Sequence, residues 1–349
     1  MSISQEALDD LARRGAAQGV DPAPGLALVE RHLRTRVASD LPFVEDAARY
    51  LIDAGGKRFR PMLLLLTGML GGKEPVSPDL VSAGVIVELV HLSTLYHDDV
   101  IDAAEVRRGT PAAHVKWSNT VAILTGDFLL ARASELSAEL GVEVTRLMAR
   151  TIADLCQGQI REVQGSQLGE RHGAAGTDGD RQHYLRVVEE KTASLISAST
   201  RLGAMLAGMP PPAVEALTAY GRALGMAFQL SDDILDIMGD PSDSGKVPGT
   251  DLREGVRTLP TLLALERDGL GSQLARLLGA AADGEDAGVV GEALALLRAH
   301  PALPLARDAA RFEADRAKQV LRHIARTPET IVVLDGLDAL ADYAVSRVG

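Results

Sequence analysis

The stretch LVHLSTLYHDDVID, residues 89–102, constrains this chain more than any other. Its apolar residues are too continuous for a surface helix, yet it carries His91, Asp98, Asp99 and Asp102. Carboxylates do not enter a core without a partner. On a helix, Asp98 and Asp102 fall one turn apart on one face, with His91 two turns earlier on nearly the same face. Such a helix can be buried only if that face lines a polar cavity that holds cations. It opens at SPDL, where Ser77 suits the N-cap and Pro78 the first helical position, and the pattern predicts helix to about Asp102.

A second run, FQLSDDILDIMGD at 228–240, repeats the arrangement with Asp232, Asp233 and Asp236, and Gln229 lies one turn before Asp233. One acidic run is as often a solvated helix end. Two on separate apolar helices describe carboxylates facing each other across a cavity. Paired hard oxygen donors suit Mg²⁺, which keeps several waters and completes its shell with phosphate oxygens. Basic residues cluster beside both runs: Lys57, Arg58 and Arg60 in GGKRFRP, Arg107 and Arg108 in RRGTP, Lys191 beside Thr192 in EKTAS, and Lys246 after the second run. Any one of them alone reads as a surface ion pair. With the carboxylates they describe a diphosphate site, or two, one bound through metal and one held directly by arginine and lysine.

The rest of the 349-residue chain supports an all-α fold. Hydrophobic residues make up 46%, but aromatics only 3%, and the Ala/Leu/Val-rich mixture favours helix over a sandwich or barrel. Alternating Val/Ile/Thr runs are nearly absent. Helices are predicted at about 118–139, 141–164, 181–208 and 212–239, with loops at 165–180 and after 239 and breaks near 280–286 and 300–304. Residues 1–24 read as a polar N-terminal tail and 25–349 as a single all-helical domain, since no Pro/Ser-rich linker divides them. The net charge of −12 disfavours a nucleic-acid binder and requires that any anionic ligand meet a local basic cluster. The single cysteine, Cys156, allows no intrachain disulfide and no cysteine zinc site. MSISQEALDDLARRG has no signal-peptide core, and MLLLLTGML at 62–70 is too short to cross a bilayer. The expectation is a cytoplasmic protein that does not span a membrane. No GxxxxGK[ST] or GxSxG occurs. HDD at 97–99 hints at an HD-type metal phosphohydrolase, but His114, His172 and His183 show no matching ligand spacing.

In order, spacing and helical context, GGKRFRP, ELVHLSTLYHDDVID, RRGTPAAH, LTGDFLL, EKTASL, FQLSDDILD and GKVPGTDLREGVRTLP resemble the trans-isoprenyl diphosphate synthases of the polyprenyl synthetase family. The resemblance runs from about residue 55 to 260. It implies an isoprenoid-synthase-type helical bundle around a deep central cavity, usually a homodimer. It implies head-to-tail (1′-4) condensation of isopentenyl diphosphate with an allylic diphosphate: dimethylallyl, geranyl, farnesyl or geranylgeranyl. By this resemblance Asp98 and Asp102 hold two Mg²⁺ ions and Asp232 a third. Arg107, Lys191 and Lys246 contact the allylic diphosphate, with Thr192 and Gln229 near the reacting carbons. Lys57, Arg60, His91 and Arg108 take the diphosphate of isopentenyl diphosphate.

Product length should follow from what plugs the cavity below Asp98. Ser93 and Thr94 are small where short-chain members tend to carry an aromatic residue, and Val90 and Val87 further down are modest in size. This implies a product of C20 or longer, with C30–C50 favoured, unless Tyr96 or Leu130 closes the tunnel. A terpene cyclase on the same fold and a non-catalytic subunit of a heteromeric synthase are the competing readings. The former has no use for the metal-free basic set, and the latter would be expected to lack the aspartates or basic motifs. The Gly-rich stretch 165–180 is longer than the family leads one to expect, and reads as a lid or an insertion.

Overall fold

The computed structural model describes residues 21–172, 178–239, 248–283 and 287–348. The order is α1 (Ala23–Arg36), α2 (Pro42–Asp53), α3 (Phe59–Leu70), α4 (Pro78–Ile101), β1 (Val106–Arg107), β2 (Thr110–Pro111), α5 (Ala113–Lys116), α6 (Asn119–Glu139), α7 (Val142–His172) and α8 (Asp178–Val188). A π-turn (Glu189–Ala193) leads into α9 (Ser194–Leu206), α10 (Pro211–Met238), α11 (Thr250–Arg253), α12 (Leu259–Asp268), α13 (Gln273–Ala282), α14 (Ala287–Ala299), α15 (Ala302–Leu321) and α16 (Ile331–Ser346).

The long helices begin where the sequence says they should. Pro78 sits in the first turn of α4 and Pro211 in that of α10, where a missing N–H costs nothing. Ser77 occupies the N-cap position but makes no capping bond, whereas Ser118 and Ser272 accept from Val121 N and Ala275 N at 3.2 and 3.1 Å. Helix α4 is the centre of one core, packed by α1, α3, α6 and α9. By length and composition it is apolar enough to cross a membrane, but 72% of that window is buried, so it is a core helix. Helix α10 is the centre of another, packed by α9, α15 and α16. Tyr220 donates to Leu337 O at 2.8 Å, and the rings of Phe59 and Phe228 meet edge-to-face at 5.0 Å, which ties α3 to α10.

Three features differ from the sequence expectations. Helix α7 runs through 165–172, because Gln, Leu, Glu and Arg propagate an established helix past isolated glycines at about 1 kcal/mol each; residues 173–177 lie outside the described residues. The helix expected over 181–208 is broken by the π-turn at Glu189–Ala193. A two-residue antiparallel hairpin, Val106↔Pro111 and Arg107↔Thr110, follows α4. Lys246 and Asp240 also lie outside the described residues.

Candidate active site

The first acidic run ends α4 at the rim of the bundle. Asp98 is in the last turn, and Asp102 caps it with its N–H to Asp98 O at 2.8 Å. Burial, reinforced by Asp102 and Glu162, pushes the Asp98 carboxyl up to about 6, with Lys191 opposing. Asp102 is raised as well, by burial first and then by Glu162 and Asp99, with Lys191 and Arg107 opposing. Glu162 on α7, which sequence reasoning missed, accepts an ion-paired hydrogen bond from Lys191 Nζ. Burial works against the Lys191 charge, but Glu162 and Asp98 outweigh it and keep it protonated. Gln159, one turn before Glu162, has both amide atoms buried without a hydrogen-bond partner.

Lys191 and Thr192 sit on the π-turn, a wide turn seen mostly at functional sites. Two glycines make room for it. A Cβ on Gly158 of α7 would stand 2.6 Å from Lys191 N, and one on Gly225 of α10 would stand 2.6 Å from Ala193 Cα. The π-turn is therefore held between the helix bearing Glu162 and the helix bearing the second acidic run.

That second run is not a copy of the first. Asp232 pairs with Arg347 at 2.6 Å, and both side chains are largely buried. Asp236 accepts the backbone N–H groups of Thr250 and Asp251, both at 3.1 Å, and so anchors the start of α11. Asp233 faces inward, accepting from Tyr184 Oη and from Gln229 Nε2 at 2.8 Å. Gln229 Oε1 in turn accepts from Thr192 Oγ1 at 3.0 Å, so the structure brings together the Thr192 and Gln229 that the resemblance groups.

A separate basic pocket forms where the α2–α3 turn meets α4 and the hairpin. Arg58 and Arg108 both adopt left-handed backbone conformations, φ 46° and 54°, which non-glycine residues hold only where their surroundings enforce it. Arg58 is buried and pairs with Glu30 at 2.6 Å and Glu88 at 2.8 Å. Burial opposes its charge, and the two glutamates overcome that. Arg108 donates to Leu51 O at 2.8 Å and to Gly55 O. Arg60 is 8% exposed, its Nε has no partner, and burial lowers its guanidinium to about 10. Burial, followed by Arg60 and Arg108, pushes the His91 imidazolium well below its ordinary value, so the ring is neutral at neutral pH. Lys57 is exposed at the mouth. Arg58 and Arg108 thus pair with Glu88 at 2.8 and 3.9 Å, Arg60 feels its charge, and the Arg60 Nε–H has no partner; a bound anion would complete this arrangement. Glu88 was legible in principle, as the lone carboxylate inside ELVHL, three residues before His91.

Arg107 faces the other way, toward the acidic run, and donates from Nε to Asp99 Oδ1 at 2.6 Å. On the apolar side of α4, Ser93 is fully buried with an unpartnered Oγ, and Thr94 folds its hydroxyl back onto His91 O at 2.8 Å. Tyr96 is anchored away from this wall: its hydroxyl donates to Ala47 O at 2.6 Å and accepts from Leu51 N at 3.2 Å, both in α2. About two turns below Asp98, Val90 shares a cavity of about 50 Å³ with Ala133, Ser137, Met148 and Ile152. Neither Ser93, Thr94 nor Leu130 lines this cavity.

The donor set fits divalent metal. Asp98 and Asp102 are hard, partly desolvated oxygen donors whose charges repel. Among the described residues no three His, Cys, Asp or Glu side chains converge closely enough to hold an ion by themselves. A divalent ion held by two carboxylates would complete its shell with water and phosphate.

Residues 41–297 match the family described as polyprenyl synthetase. The chain belongs to that family. It is 44% identical over 326 residues to a nonaprenyl diphosphate synthase of Mycobacterium tuberculosis, with 93% of each chain covered. A decaprenyl diphosphate synthase from Rhodobacter capsulatus superposes with a TM-score of 0.82 at 34% identity, covering 98% of this chain and 99% of that one. A geranylgeranyl pyrophosphate synthase from Corynebacterium glutamicum, complexed with calcium and isoprenyl diphosphate, superposes with a TM-score of 0.80 at 40% identity, covering 94% and 96%. These family members are all-helical synthases of isoprenyl diphosphates. Their names range from geranylgeranyl to decaprenyl.

Proposed function

We propose that this protein is a Mg²⁺-dependent polyprenyl diphosphate synthase that adds isopentenyl units to an allylic diphosphate and releases a C30–C50 product. The observation that carries this reading is the pair of separate anion sites. One joins Asp98, Asp102 and Lys191; the other gathers Arg60 and Arg108 around the buried Glu88, with His91 beside them. A cyclase needs only the first.

Asp98, Asp102 and Asp232 are the residues that would hold Mg²⁺, and bound metal supplies the charge that lets the allylic diphosphate leave. Lys191 and Arg107 add direct donors to the same phosphates, and Lys246 joins them. Arg60, Arg108, His91 and Lys57 hold isopentenyl diphosphate by its phosphates, so that its double bond meets the allylic carbon. Thr192 and Gln229 flank that carbon. The apolar wall of α4 excludes water from the cation. Small side chains at Ser93, Thr94 and Val90 leave room for a long tail, and the hydroxyl of Tyr96 is tied into α2. Support for a homodimer comes from large apolar side chains exposed on α6 and α7, among them Leu124 at 60% and Val142 at 70%.

The test is an incubation with Mg²⁺, isopentenyl diphosphate and each of the dimethylallyl, geranyl, farnesyl and geranylgeranyl primers, with products sized by mass spectrometry. A ladder ending between C30 and C50 is expected. Diphosphate release without elongation would replace this reading with a cyclase or hydrolase, and a stop at C15 would refute the open floor.

A further inference from the structure

Asp233 has a task that neither metal binding nor phosphate binding covers. It is 5% exposed, and both carboxylate oxygens are taken by protein donors. Tyr184 of α8, 8% exposed, donates its hydroxyl to Oδ2. Gln229 Nε2 donates to Oδ1 at 2.8 Å. Gln229 thus turns its NH₂ toward Asp233 and its carbonyl oxygen toward Thr192. That oxygen takes the Thr192 hydroxyl proton at 3.0 Å. With its one proton committed, Thr192 offers only lone pairs to whatever lies beyond it.

The direction of this chain matters because Thr192 adjoins Lys191 on the π-turn. A free hydroxyl rotates, and half its orientations present the positive end of the O–H dipole. A carbon becoming positively charged is stabilised only by the opposite orientation. A dipole fixed in advance does so without reorganisation at the moment of reaction.

We propose that Tyr184 is a positioning residue for chain elongation. Through Asp233 and Gln229 it fixes the Thr192 hydroxyl so that its oxygen lone pairs face the allylic carbon. The inference rests on the reading that Thr192 and Gln229 flank that carbon. Tyr184 acts through Asp233 and lies seven residues before Lys191 in sequence, on a different helical element.

The experiment compares the full-length protein with Tyr184→Phe, Thr192→Val and the double variant, each with Mg²⁺, isopentenyl diphosphate and the primer that the wild type elongates best. Tyr184→Phe should lower kcat about tenfold, with both substrate KM values within about twofold, since only transition-state stabilisation is lost. Because the residues act as one chain, the double variant should be no slower than Thr192→Val alone within about twofold. Asp233→Asn keeps the volume but cannot accept from both partners, so it should reproduce the same kcat loss if Tyr184→Phe does not fold. Multiplicative losses in the double variant would overturn the relay, as would an unchanged kcat in Tyr184→Phe or Asp233→Asn. A wild type that elongates no primer would overturn the functional reading, and the relay with it.

Discussion

Asp99 accepts the Nε–H of Arg107 at 2.6 Å from a position with no solvent exposure, while its second oxygen is buried without a hydrogen-bond partner. In the first acidic run this carboxylate therefore faces inward and aims an arginine, while Asp98 and Asp102 lie near Lys191 and Glu162. Asp99→Asn keeps the shape and removes the charge. A charge-assisted bond contributes roughly 1.5–3 kcal/mol, of which the amide retains part. The expected outcome is a rise of about five- to tenfold in KM for the allylic diphosphate, with KM for isopentenyl diphosphate unchanged in steady-state assays.

Asp98 should show opposite effects on stability and activity. Burial pushes its carboxyl up to about 6 against an ordinary value of 3.8, so the folded chain should bind the extra proton between those values. Stability from this group therefore grows as pH falls through that window and is lost above it. At pH 7.5 without metal, Asp98→Asn should stabilise the protein by about 1–2 kcal/mol. At pH 4 the gain should have largely vanished. Turnover should drop roughly a thousandfold. Thermal melts in chelator at the two pH values, set beside an elongation assay, test both halves. A variant destabilised at pH 7.5 would refute the electrostatic account.

Metal binding should inherit the same proton. Asp98 must ionise to ligate, so apparent Mg²⁺ affinity should weaken as pH falls below about 6. Calorimetric titration in buffers of different ionisation enthalpy would read the released proton directly. An affinity flat from pH 5 to 7.5 would contradict the assignment of Asp98 as a ligand.

The basic pocket should come apart when its shared anion is removed. Glu88 is 2% exposed and Arg58 7%, and breaking a buried pair by neutralising one partner costs about 3–5 kcal/mol. Glu88→Gln should lose that much in urea denaturation, because Arg58, Arg60 and Arg108 are left repelling each other. Inorganic diphosphate, which would occupy the same pocket, should recover more stability in this variant than in the wild type.

Gly56 is the specific point where the backbone yields to Arg108. Its φ is +152°, and a Cβ there would stand 2.9 Å from the Arg108 guanidinium. Gly56→Ala should therefore push that guanidinium off its seat and raise KM for isopentenyl diphosphate about tenfold. The allylic KM should stay within about twofold. Equal losses for both substrates would mean that the two pockets are not independent.

Much of this molecule was legible in the residues themselves. The spans of α4, α6 and α10 follow from apolar periodicity, and the starts of α4 and α10 also from prolines at first-turn positions. The carboxylates of residues 98–102 announce positive partners, because an apolar helix does not bury them unpaired. The π-turn was not legible: EEKTA has ordinary helical chemistry, and the turn widens only where Gly158 and Gly225 approach it from two helices distant in sequence. Nor was the difference between the two acidic runs. Asp98, Asp99 and Asp102 repeat the spacing of Asp232, Asp233 and Asp236, yet Arg347, Tyr184 and the α11 backbone give the second set three separate partners. Spacing fixes which side chains share a helix face, since that depends only on the turn of the backbone. Which partner meets each face depends on how helices a hundred residues apart pack together, and that was decided by the tertiary structure alone.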